Sequence, residues 1–370
     1  MSRIAHLTSV HARNDTRIFL KQCRSLAAAG HDVTLVVADG LGEAQVDGVR
    51  QVDVGKARGR RDRMIGATRR VLKQARNLDA DLYQIHDPEL LPAALALRRS
   101  GKRVIFDAHE DLPAQILSKG YLPSYVRRPI SLAAALFERL VCPRLSAVMT
   151  ATPAIRDKFL RMGVKAFDIN NFPILSELES QVAWADKRRE VCYVGGISAI
   201  RGIRQVVAAM AQVRSGTRLN LVGTVGGAGL KPEIEASSGW ANVNALGQLS
   251  RPEVRDVLGR SIAGLVTFLP EPNHIESQPN KMFEYMSAGI PVIASDFPLW
   301  REIIDGNHCG ICVDPLNPKA IAAAIDRLVD NPDLARKMGE NGRRAVLEQY
   351  NWDVEEKKLL DLYTKILSDR

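Results

Sequence analysis

The feature that most constrains the fold of this chain is the alternation of short apolar runs with helix-like segments along most of its 370 residues. A short apolar run bounded by polar or turn residues is typical of a buried strand. Here each such run is followed by helical or turn material. This alternation indicates a doubly wound, parallel sheet with helices on both faces, so the pattern alone predicts an α/β protein.

The strand-like runs fall into two series, separated by the polar and charged segment 173–189. The first series is 4–10, 33–38, 82–85, 103–107 and 147–151, with a helical stretch at 17–29 that Gly30 ends. The second series is 191–194, 219–222, 243–246, 264–268, 291–295 and 310–313. We therefore expect two Rossmann-like domains, 1–178 and 179–350, that face a central cleft, and a C-terminal helix within 351–370 that crosses back to the first domain.

The net charge of +9 is unevenly distributed. Residues 1–180 hold 28 Lys and Arg against 19 Asp and Glu, and the rest of the chain is balanced. Much of the excess lies in 56–63 and in the basic residues of 69–76. Nucleic acid is an unfavoured partner, because 40–80 contains no aromatic residue for base stacking and known nucleic-acid motifs are missing. An anionic membrane surface and an ordinary solvated helix face both remain open.

Cysteine use and the absence of long apolar runs predict a cytoplasmic protein. The five cysteines are odd in number and scattered, which favours reduced thiols. Cys309 and Cys312 have redox spacing, but their apolar surroundings favour buried structural thiols. No run reaches the length of a membrane-spanning helix, and the start of the sequence does not resemble a signal peptide. Peripheral attachment at the inner membrane stays open because of the basic first domain and the aromatic and basic residues of 121–137, among them Tyr121.

The most informative segment is 276–295. Pro279 is placed to begin a helix and Gly289 to end it, before a buried strand. Lys281 falls in the first turn, where a positive charge opposes the helix dipole, so an anionic ligand such as a phosphate explains it well. Two carboxylates, Glu276 and Glu284, lie on either side of the helix start.

This segment resembles the Glu-x7-Glu motif of the retaining, nucleotide-sugar-dependent family 4 glycosyltransferases, which have the GT-B fold. Its form, Pro-x-Lys-x-x-Glu-Tyr-Met-x-x-Gly-x-Pro-Val-Ile, is similar to that of enzymes that build bacterial surface polysaccharides. The resemblance implies that Glu276 contacts hydroxyls of the donor sugar and that Glu284 binds the nucleotide ribose. It also implies that backbone N–H groups near 277–281 hold the sugar and diphosphate, which adds the donor-binding residues Ser277, Gln278, Asn280 and Lys281.

A second segment, 193–203, is similar to the glycine loop of the same family, which pairs Gly-Arg with a later Lys-Gly. Gly196 stands where the family has arginine, and Arg201 stands where it has lysine. Gly195 and Gly196 would let a phosphate approach the backbone. We expect Arg201 to bind the diphosphate and Lys281 to supply the second charge. The alternative is a surface arginine in a tight turn.

Gly223 opens a third glycine-rich loop, 223–229, that superficially resembles a dinucleotide-binding loop. Its glycine spacing is wrong, and a suitably placed acidic ribose ligand is missing, so a dehydrogenase is disfavoured. In the glycosyltransferase family that the sequence resembles, this loop lies near the donor nucleotide. The resemblance therefore places Gly223 among the expected donor-binding residues.

The N-terminal half carries polar clusters at predicted strand ends, 86–89 and 107–111. The second resembles the family's histidine loop, which implies that His109 reaches the donor sugar or its β-phosphate. The glycine pair that many members have after the first strand is missing. His11, Asp15 and Arg17 stand there instead and are expected to orient the acceptor. Helix capping by Asp15 together with plain surface charge is the alternative.

These features predict a metal-independent enzyme that moves a sugar from a nucleoside diphosphate to an acceptor hydroxyl with retention. The expected catalytic residues are His109, Glu276, Arg201 and Lys281. We expect no cofactor and no metal; Asp79-Ala80-Asp81 lies before a strand, away from the expected cleft. The expected partners are the nucleotide-sugar donor and a glycan or lipid-linked acceptor. A nucleotide-sugar 2-epimerase of the same fold and a non-catalytic nucleotide-sugar-binding subunit remain alternatives.

Overall fold

A computed structural model describes residues 1–59, 61–119, 122–175 and 182–368 in two compact units. Unit 1 comprises Met1–Asn171 and Asp353–Arg370, and unit 2 comprises Phe172–Trp352. Arg60, Tyr121 and the domain boundary expected between 178 and 179 lie outside the described residues. Each unit is built around its own twisted sheet with helices packed on it.

The sheet of unit 1 has eight strands in the order β3-β4-β2-β1-β5-β6-β7-β8. Neighbouring strands are parallel, except that β3 pairs with β4 in the antiparallel sense. Because β1 lies between β2 and β5, and β5 lies beside β6, the loops that follow β1, β5 and β6 meet at one edge of the sheet. The strands are β1 Arg3–Leu7, β2 Asp32–Val37, β3 Ala44–Val46, β4 Val49–Asp53, β5 Leu82–Ile85, β6 Arg103–Ala108, β7 Ala147–Thr150 and β8 Ala166–Asp168.

The helices of unit 1 connect these strands. They are α1 Arg24–Ala28, α2 Thr68–Leu78, α3 Leu91–Arg99, α4 Leu112–Leu117, α5 Ser124–Val141 and α6 Pro153–Arg161. The single helix expected at 17–29 is wound differently: a π-helical segment, Thr16–Cys23, leads directly into α1. Asp15 caps this segment by accepting from the backbone N–H groups of Arg17 and Ile18, at 2.8 and 2.9 Å. Gly30 follows at φ +86°, as expected for a residue that ends a helix.

The C-terminal helix α14, Trp352–Ser368, belongs almost entirely to unit 1. Its Tyr363 is fully buried, and the hydroxyl donates to Gln84 Oε1 and lies 3.3 Å from His6 Nε2. The network continues through His86, whose Nδ1 lies 3.1 Å from Asp107 Oδ2. Buried polar groups of this kind must be paired, so the last helix completes the polar interior of unit 1.

The sheet of unit 2 has six strands in the order β11-β10-β9-β12-β13-β14, and its described pairings are all parallel. The strands are β9 Glu190–Val194, β10 Arg218–Val222, β11 Val243–Gly247, β12 Ala263–Val266, β13 Val292–Ser295 and β14 Gly310–Val313. Apolar clusters cover both faces of the sheet. The loops after β9, β10 and β12 therefore share one edge of the sheet, where ligands of open α/β folds bind.

The helices of unit 2 include one that begins at the centre of this edge. They are α7 Ile203–Met210, α8 Leu230–Glu235, α9 Arg251–Arg260, α10 Asn280–Ser287, α11 Pro298–Ile304, α12 Pro318–Val329 and α13 Pro332–Glu348. Helix α10 follows Pro279, as the sequence predicts, and Gly289 stands after its end at φ +69°. No helix in the described part of either unit is long and apolar enough to cross a bilayer.

Candidate active site

The loops that follow β9 and β10 pack backbone against backbone in unit 2. Gly195 has φ +107° and Gly223 has φ +134°, conformations that favour glycine. A Cβ atom on Gly223 would lie 2.0 Å from the carbonyl oxygen of Gly195. The Gly223 N–H in turn donates to Gly247 O at 2.7 Å. The structure thus brings two of the predicted donor-binding glycines together at the sheet edge.

Arg201 lies beside Gly196, five residues earlier in the same loop. Its Nη1 donates to Gly196 O at 3.1 Å, and its guanidinium carbon lies 5.6 Å from the centre of the Phe268 ring. A Cβ on Gly196 would lie 2.5 Å from Arg201 Nη1. The Arg201 guanidinium therefore lies in the space beside Gly196 that a side chain at 196 would enter.

Lys281, in the first turn of α10, lies against the same loop. Its Nζ sits 3.7 Å from the centre of the Tyr193 ring and 5.4 Å from that of Phe268. A Cβ on Gly195 would lie 3.7 Å from this Nζ. The side chain is 7% exposed, and its ammonium has no hydrogen-bond partner. Burial, and then the positive charge of Arg201, lower the pKa of Lys281 well below its ordinary value.

Two further buried polar atoms near these loops lack hydrogen-bond partners: Thr267 Oγ1, just after β12, and Gln278 Oε1, in the loop before α10. Gly202, which follows Arg201, packs against Thr267, and Leu269 N donates to Ile200 O at 2.9 Å, so the β12 loop contacts the Arg201 turn. Buried polar atoms without partners are rare in proteins. Lys281 Nζ and the Thr267 hydroxyl can donate hydrogen bonds to a ligand, whereas Gln278 Oε1 can only accept one, so this edge of unit 2 carries unused hydrogen-bonding groups of both kinds.

The two glutamates of the Glu-x7-Glu segment differ in their surroundings. Glu284 is half-buried and accepts from Arg251 Nη1 at 2.8 Å. Glu276 is exposed in the loop between β12 and α10, and within the described ranges it has no ion pair with the cations of the site. Ser277 accepts from Trp300 Nε1 through its carbonyl at 2.6 Å, and Asn280 is exposed at the start of α10.

Sequence reasoning missed three residues of this site. Tyr193 begins the segment 193–203, but the sequence assigns it no role, and Thr267 falls within the predicted strand 264–268. Arg251 lies 33 residues before Glu284 in the sequence, so only the fold shows that the two side chains pair. A basic residue directly before Pro252 at a helix start is the signal that would have marked Arg251.

In unit 1, His11 lies between two carboxylates at the edge where the loops after β1 and β5 meet. Its Nε2 lies 3.3 Å from Asp87 Oδ1, and its Nδ1 lies 3.5 Å from Asp15 Oδ2. Burial alone would lower the pKa of His11, but its hydrogen bonds to Asp15 and Asp87 and their charges raise it to about 10. The same pairing lowers the pKa of Asp15 to about 2 against the effect of burial. Asp87 is held by Thr8 Oγ1 at 2.9 Å and Ser9 N at 2.6 Å.

His109 and Arg17 stand close to this cluster in different roles. The ring of His109 meets that of His11 edge-on at 5.1 Å between centroids. Burial lowers the pKa of His109, and the nearby positive charges add to this effect against the pull of Asp107. Arg17 is 6% exposed, pairs with Asp107 at 2.7 Å and donates to Ile169 O at 2.9 Å. This placement gives Arg17 a supporting position inside unit 1 and does not support the expected contact with an acceptor.

The Asp79-Ala80-Asp81 segment and the Cys309–Cys312 pair have structural surroundings. Asp79 pairs with Lys102 and Arg3, and Asp81 accepts from Arg3 N, all before β5. Cys309 is buried, Cys312 is half-buried, and both are free thiols. In the part of the chain that the structure describes, no three His, Cys, Asp or Glu residues are grouped to hold a metal ion.

We expect the imidazole of His11 to remain protonated at neutral pH. Because its folded pKa is raised above the ordinary value, its pairing stabilises the fold below about pH 6.5 and this stabilisation is lost only as pH rises through about 10. An NMR titration should show no midpoint for His11 between about pH 5 and pH 8. Asp87→Asn should bring the midpoint into that range. His31, whose pKa burial lowers, provides an internal control; a wild-type His11 midpoint near that of a free histidine would contradict this assignment.

Two α/β units with largely parallel sheets, each with polar loops at one sheet edge, are the architecture of the GT-B class of glycosyltransferase. Two family models match the chain: the glycosyl transferase 4-like domain over residues 16–172 and the glycosyl transferases group 1 domain over residues 176–345. Together they match most of the sequence. The chain therefore belongs to the glycosyltransferase family that combines these domains, the class that uses nucleotide-sugar donors.

Several known proteins are similar to this chain. It is 25% identical to the alpha-D-kanosaminyltransferase of Streptomyces kanamyceticus over 69% of this chain and 70% of that enzyme. It is 30% identical to the D-inositol 3-phosphate glycosyltransferase of Segniliparus rotundus, over 48% of this chain and 40% of that enzyme. Among solved structures, sucrose-phosphate synthase from Thermosynechococcus elongatus matches with a TM-score of 0.80, at 19% identity over 100% of both chains. Anabaena HepE in complex with UDP-glucose matches with a TM-score of 0.74, at 15% identity over 99% of this chain and 100% of HepE. At these identities the structural likeness shows the fold alone.

Proposed function

We propose that this protein transfers a sugar, with retention, from a nucleoside diphosphate sugar to a hydroxyl group of a glycan or lipid-linked acceptor in surface glycan synthesis. The observation that carries the proposal is the amino group of Lys281, buried over the Tyr193 ring without a hydrogen-bond partner, beside Arg201 and the glycines after β9. An unpaired buried cation is costly, and an anionic ligand compensates for that cost when it binds. A diphosphate supplies both the charge and the oxygen acceptors.

In this proposal Arg201, Lys281 and the N–H groups at the start of α10 hold the donor diphosphate. As the bond between the sugar C1 and the β-phosphate oxygen breaks, negative charge accumulates on the leaving diphosphate. Cations and dipoles already in place stabilise that charge without having to reorganise. We propose that they do so without a metal ion, so activity should survive EDTA.

The glutamates would orient the donor. Arg251 fixes the carboxylate of Glu284, which leaves its second oxygen for the ribose hydroxyls. The exposed Glu276 would contact sugar hydroxyls. The acceptor oxygen forms its bond to C1 on the face that the leaving group vacates, and its proton passes to the departing phosphate oxygen. No protein nucleophile is needed in this scheme.

The unit 1 cluster would serve the sugar and the acceptor. His109, whose pKa burial lowers, would reach the donor sugar or its β-phosphate as a neutral hydrogen-bonding group. His11 and Asp15 would orient the acceptor hydroxyl, with Asp87 keeping His11 charged. Arg17 would hold Asp107 and the π-helical segment beneath them.

Thermal unfolding against UDP-, GDP- and ADP-sugars tests the proposal. A ligand that binds only the native state adds about 2.7 kcal/mol of stability at one hundred times its dissociation constant. We expect one nucleotide series to raise the melting temperature, and Arg201→Ala or Glu284→Ala to abolish the shift. Arg204→Ala is a matched control, because Arg204 is exposed, three residues from Arg201, and paired with Glu233. The absence of a shift with any donor would contradict the proposal.

Product analysis then separates the remaining alternatives. With an acceptor glycan present, a transferase forms a new glycosidic bond, and NMR of the anomeric proton reports retention or inversion. An epimerase would convert the nucleotide sugar without an acceptor. A donor that binds and is never converted would indicate a non-catalytic binding subunit.

A further inference from the structure

Helix α5 exposes most of its large apolar side chains and buries two polar residues, Ser131 and Glu138. Four large side chains at helical spacing form its outer row, here called the α5 stripe: Tyr125, Leu132, Leu136 and Leu140, which are 79%, 71%, 58% and 52% exposed. Ile130 and Phe137 extend it at 41% and 38%. A surface helix normally buries its apolar face, so this reversal marks an interaction surface.

The inward side of α5 explains the orientation of the helix. Glu138 is 1% exposed, and its carboxylate accepts from Lys158 Nζ at 2.7 Å. Lys158 also pairs with Asp111 at 2.9 Å, and Ser131 Oγ donates to Pro113 O at 2.8 Å. Turning the helix to bury the stripe would break a buried ion pair, so the outward position of the stripe is fixed by the fold.

A row of basic residues lies on the same face of the unit 1 sheet. Right-handed crossovers from β4 to β5, from β5 to β6 and from β6 to β7 run in one direction, which places α2, α3 and α5 on one face, and α3 packs against both neighbours. The exposed side chains of α2 and of the π-helical segment before it, Asp62–Ala67, include Met64 and Ile65, flanked by what we call the α2 basic row: Arg61, Arg69, Lys73 and Arg76.

The charges exposed on these elements have one sign. On α5, Arg128 and Arg139 are exposed beside the stripe, while its one acidic residue, Glu138, is buried with Lys158. Asp62, before α2, is paired with Arg70 at 3.2 Å. An apolar row with the exposed basic residues Arg128 and Arg139 beside it matches the boundary between anionic headgroups and acyl chains. Such a border is a poor match for a second copy, since the same positive charges would face each other.

We infer that this face of unit 1 docks on an anionic bilayer, with the α5 stripe in the boundary between headgroups and acyl chains and the α2 basic row over the headgroups. The inference rests on the proposed function only in that docking of this kind would bring the enzyme to a lipid-linked acceptor.

Vesicle flotation of the full chain tests the inference. We expect the protein to float with phosphatidylcholine vesicles that contain phosphatidylglycerol, less at high salt, and little with phosphatidylcholine alone. Changing Leu132, Leu136 and Leu140 together to serine should lower the bound fraction at least about ten-fold. Because these three positions are exposed, the variant should fold like the wild type, and an unchanged circular dichroism spectrum checks this. The matched control carries Leu316→Ser and Leu347→Ser, two exposed leucines of unit 2, and should float like the wild type.

A separate variant tests the α2 basic row. It carries Arg69→Gln, Lys73→Gln and Arg76→Gln together, and it should lose the preference for anionic vesicles.

Each other result overturns the inference. No flotation of the wild type, equal flotation on neutral vesicles, or full flotation of the triple serine variant would do so. Sedimentation velocity without vesicles tests whether a second copy of the chain covers the α5 stripe instead. If the wild type were a dimer and the triple serine variant a monomer, the stripe would be a subunit interface. The thermal shift with nucleotide sugars is measured on the same preparations. If a nucleotide sugar raises the melting temperature but the protein does not float, only the docking inference is refuted. If the protein floats but no nucleotide sugar raises the melting temperature, only the proposed transferase function is refuted.

Discussion

Gly202→Ala is expected to lower the free energy of unfolding of unit 2 by about 3–5 kcal/mol, the range of severe core disruptions. Gly202 has φ +77°, and an added Cβ would lie 1.9 Å from the carbonyl oxygen of Thr267, a backbone atom that cannot rotate away. Denaturant unfolding followed by tryptophan fluorescence would report this change selectively, because the four tryptophans, 184, 240, 300 and 352, all belong to unit 2.

Gly216→Ala is the matched control for this prediction. Gly216 also lies in unit 2, with φ +70°, but nothing stands within 4 Å of its added Cβ. The variant has the same conformational strain but no steric clash with a carbonyl oxygen. Its free energy of unfolding should therefore fall by only about 1 kcal/mol. Equal losses in the two variants would show that close packing of the Arg201 turn on Thr267 is not what Gly202 provides.

Lys281→Met is expected to separate stability from function. Removing a buried amino group that has no hydrogen-bond partner should leave the free energy of unfolding of the ligand-free protein unchanged or raise it by about 1 kcal/mol, since methionine fills a similar volume and also packs well against an aromatic ring. Donor binding and turnover should fall about 10²–10³-fold, the typical effect of losing one group that stabilises developing charge. Calorimetric titration with the donor and tryptophan-monitored unfolding measure the two effects separately.

Lys231→Met controls for the loss of one positive charge from unit 2. Lys231 is exposed on α8 and pairs loosely with Glu235 at 3.9 Å, so both measurements should stay at wild-type values. If Lys281→Met bound the donor as well as the wild type, the buried ammonium would have no role in holding the diphosphate.

Local sequence signals predicted the secondary structure around the proposed donor site. Pro279 and Gly289 mark the limits of α10, and a lysine such as Lys281 is unusual in the first turn of a helix. The sequence therefore predicted both the helix and the residue in it that points to a ligand. The sequence did not predict that Lys281 is buried against Tyr193. That contact joins residues 88 positions apart and depends on β9 and β12 being neighbours in the sheet.

Some elements of unit 1 escaped prediction for physical reasons, and one was missed despite a signal. The sequence predicts that Arg17 orients the acceptor, with plain surface charge as the alternative. Its buried pairing was not predictable, because its partner Asp107 is 90 residues away. Strand β8 is three residues long, too short for a periodic pattern. The hairpin of β3 and β4 had a recognisable turn, because Asp47 and Gly48 both have positive φ, at 49° and 78°, as an Asp-Gly hairpin turn requires.

The position of α14 in the chain has a consequence for how the protein is made. Unit 2 is encoded as one continuous stretch, whereas unit 1 is started first and receives Tyr363 only after the last residue of unit 2 has been added. On a translating ribosome, unit 2 can begin to fold while the buried histidine and glutamine side chains of unit 1 still lack their tyrosine hydroxyl. Unit 1 is thus begun before unit 2 and completed after it, and a premature stop within the codons of α14 would damage unit 1 and leave the stretch that encodes unit 2 intact.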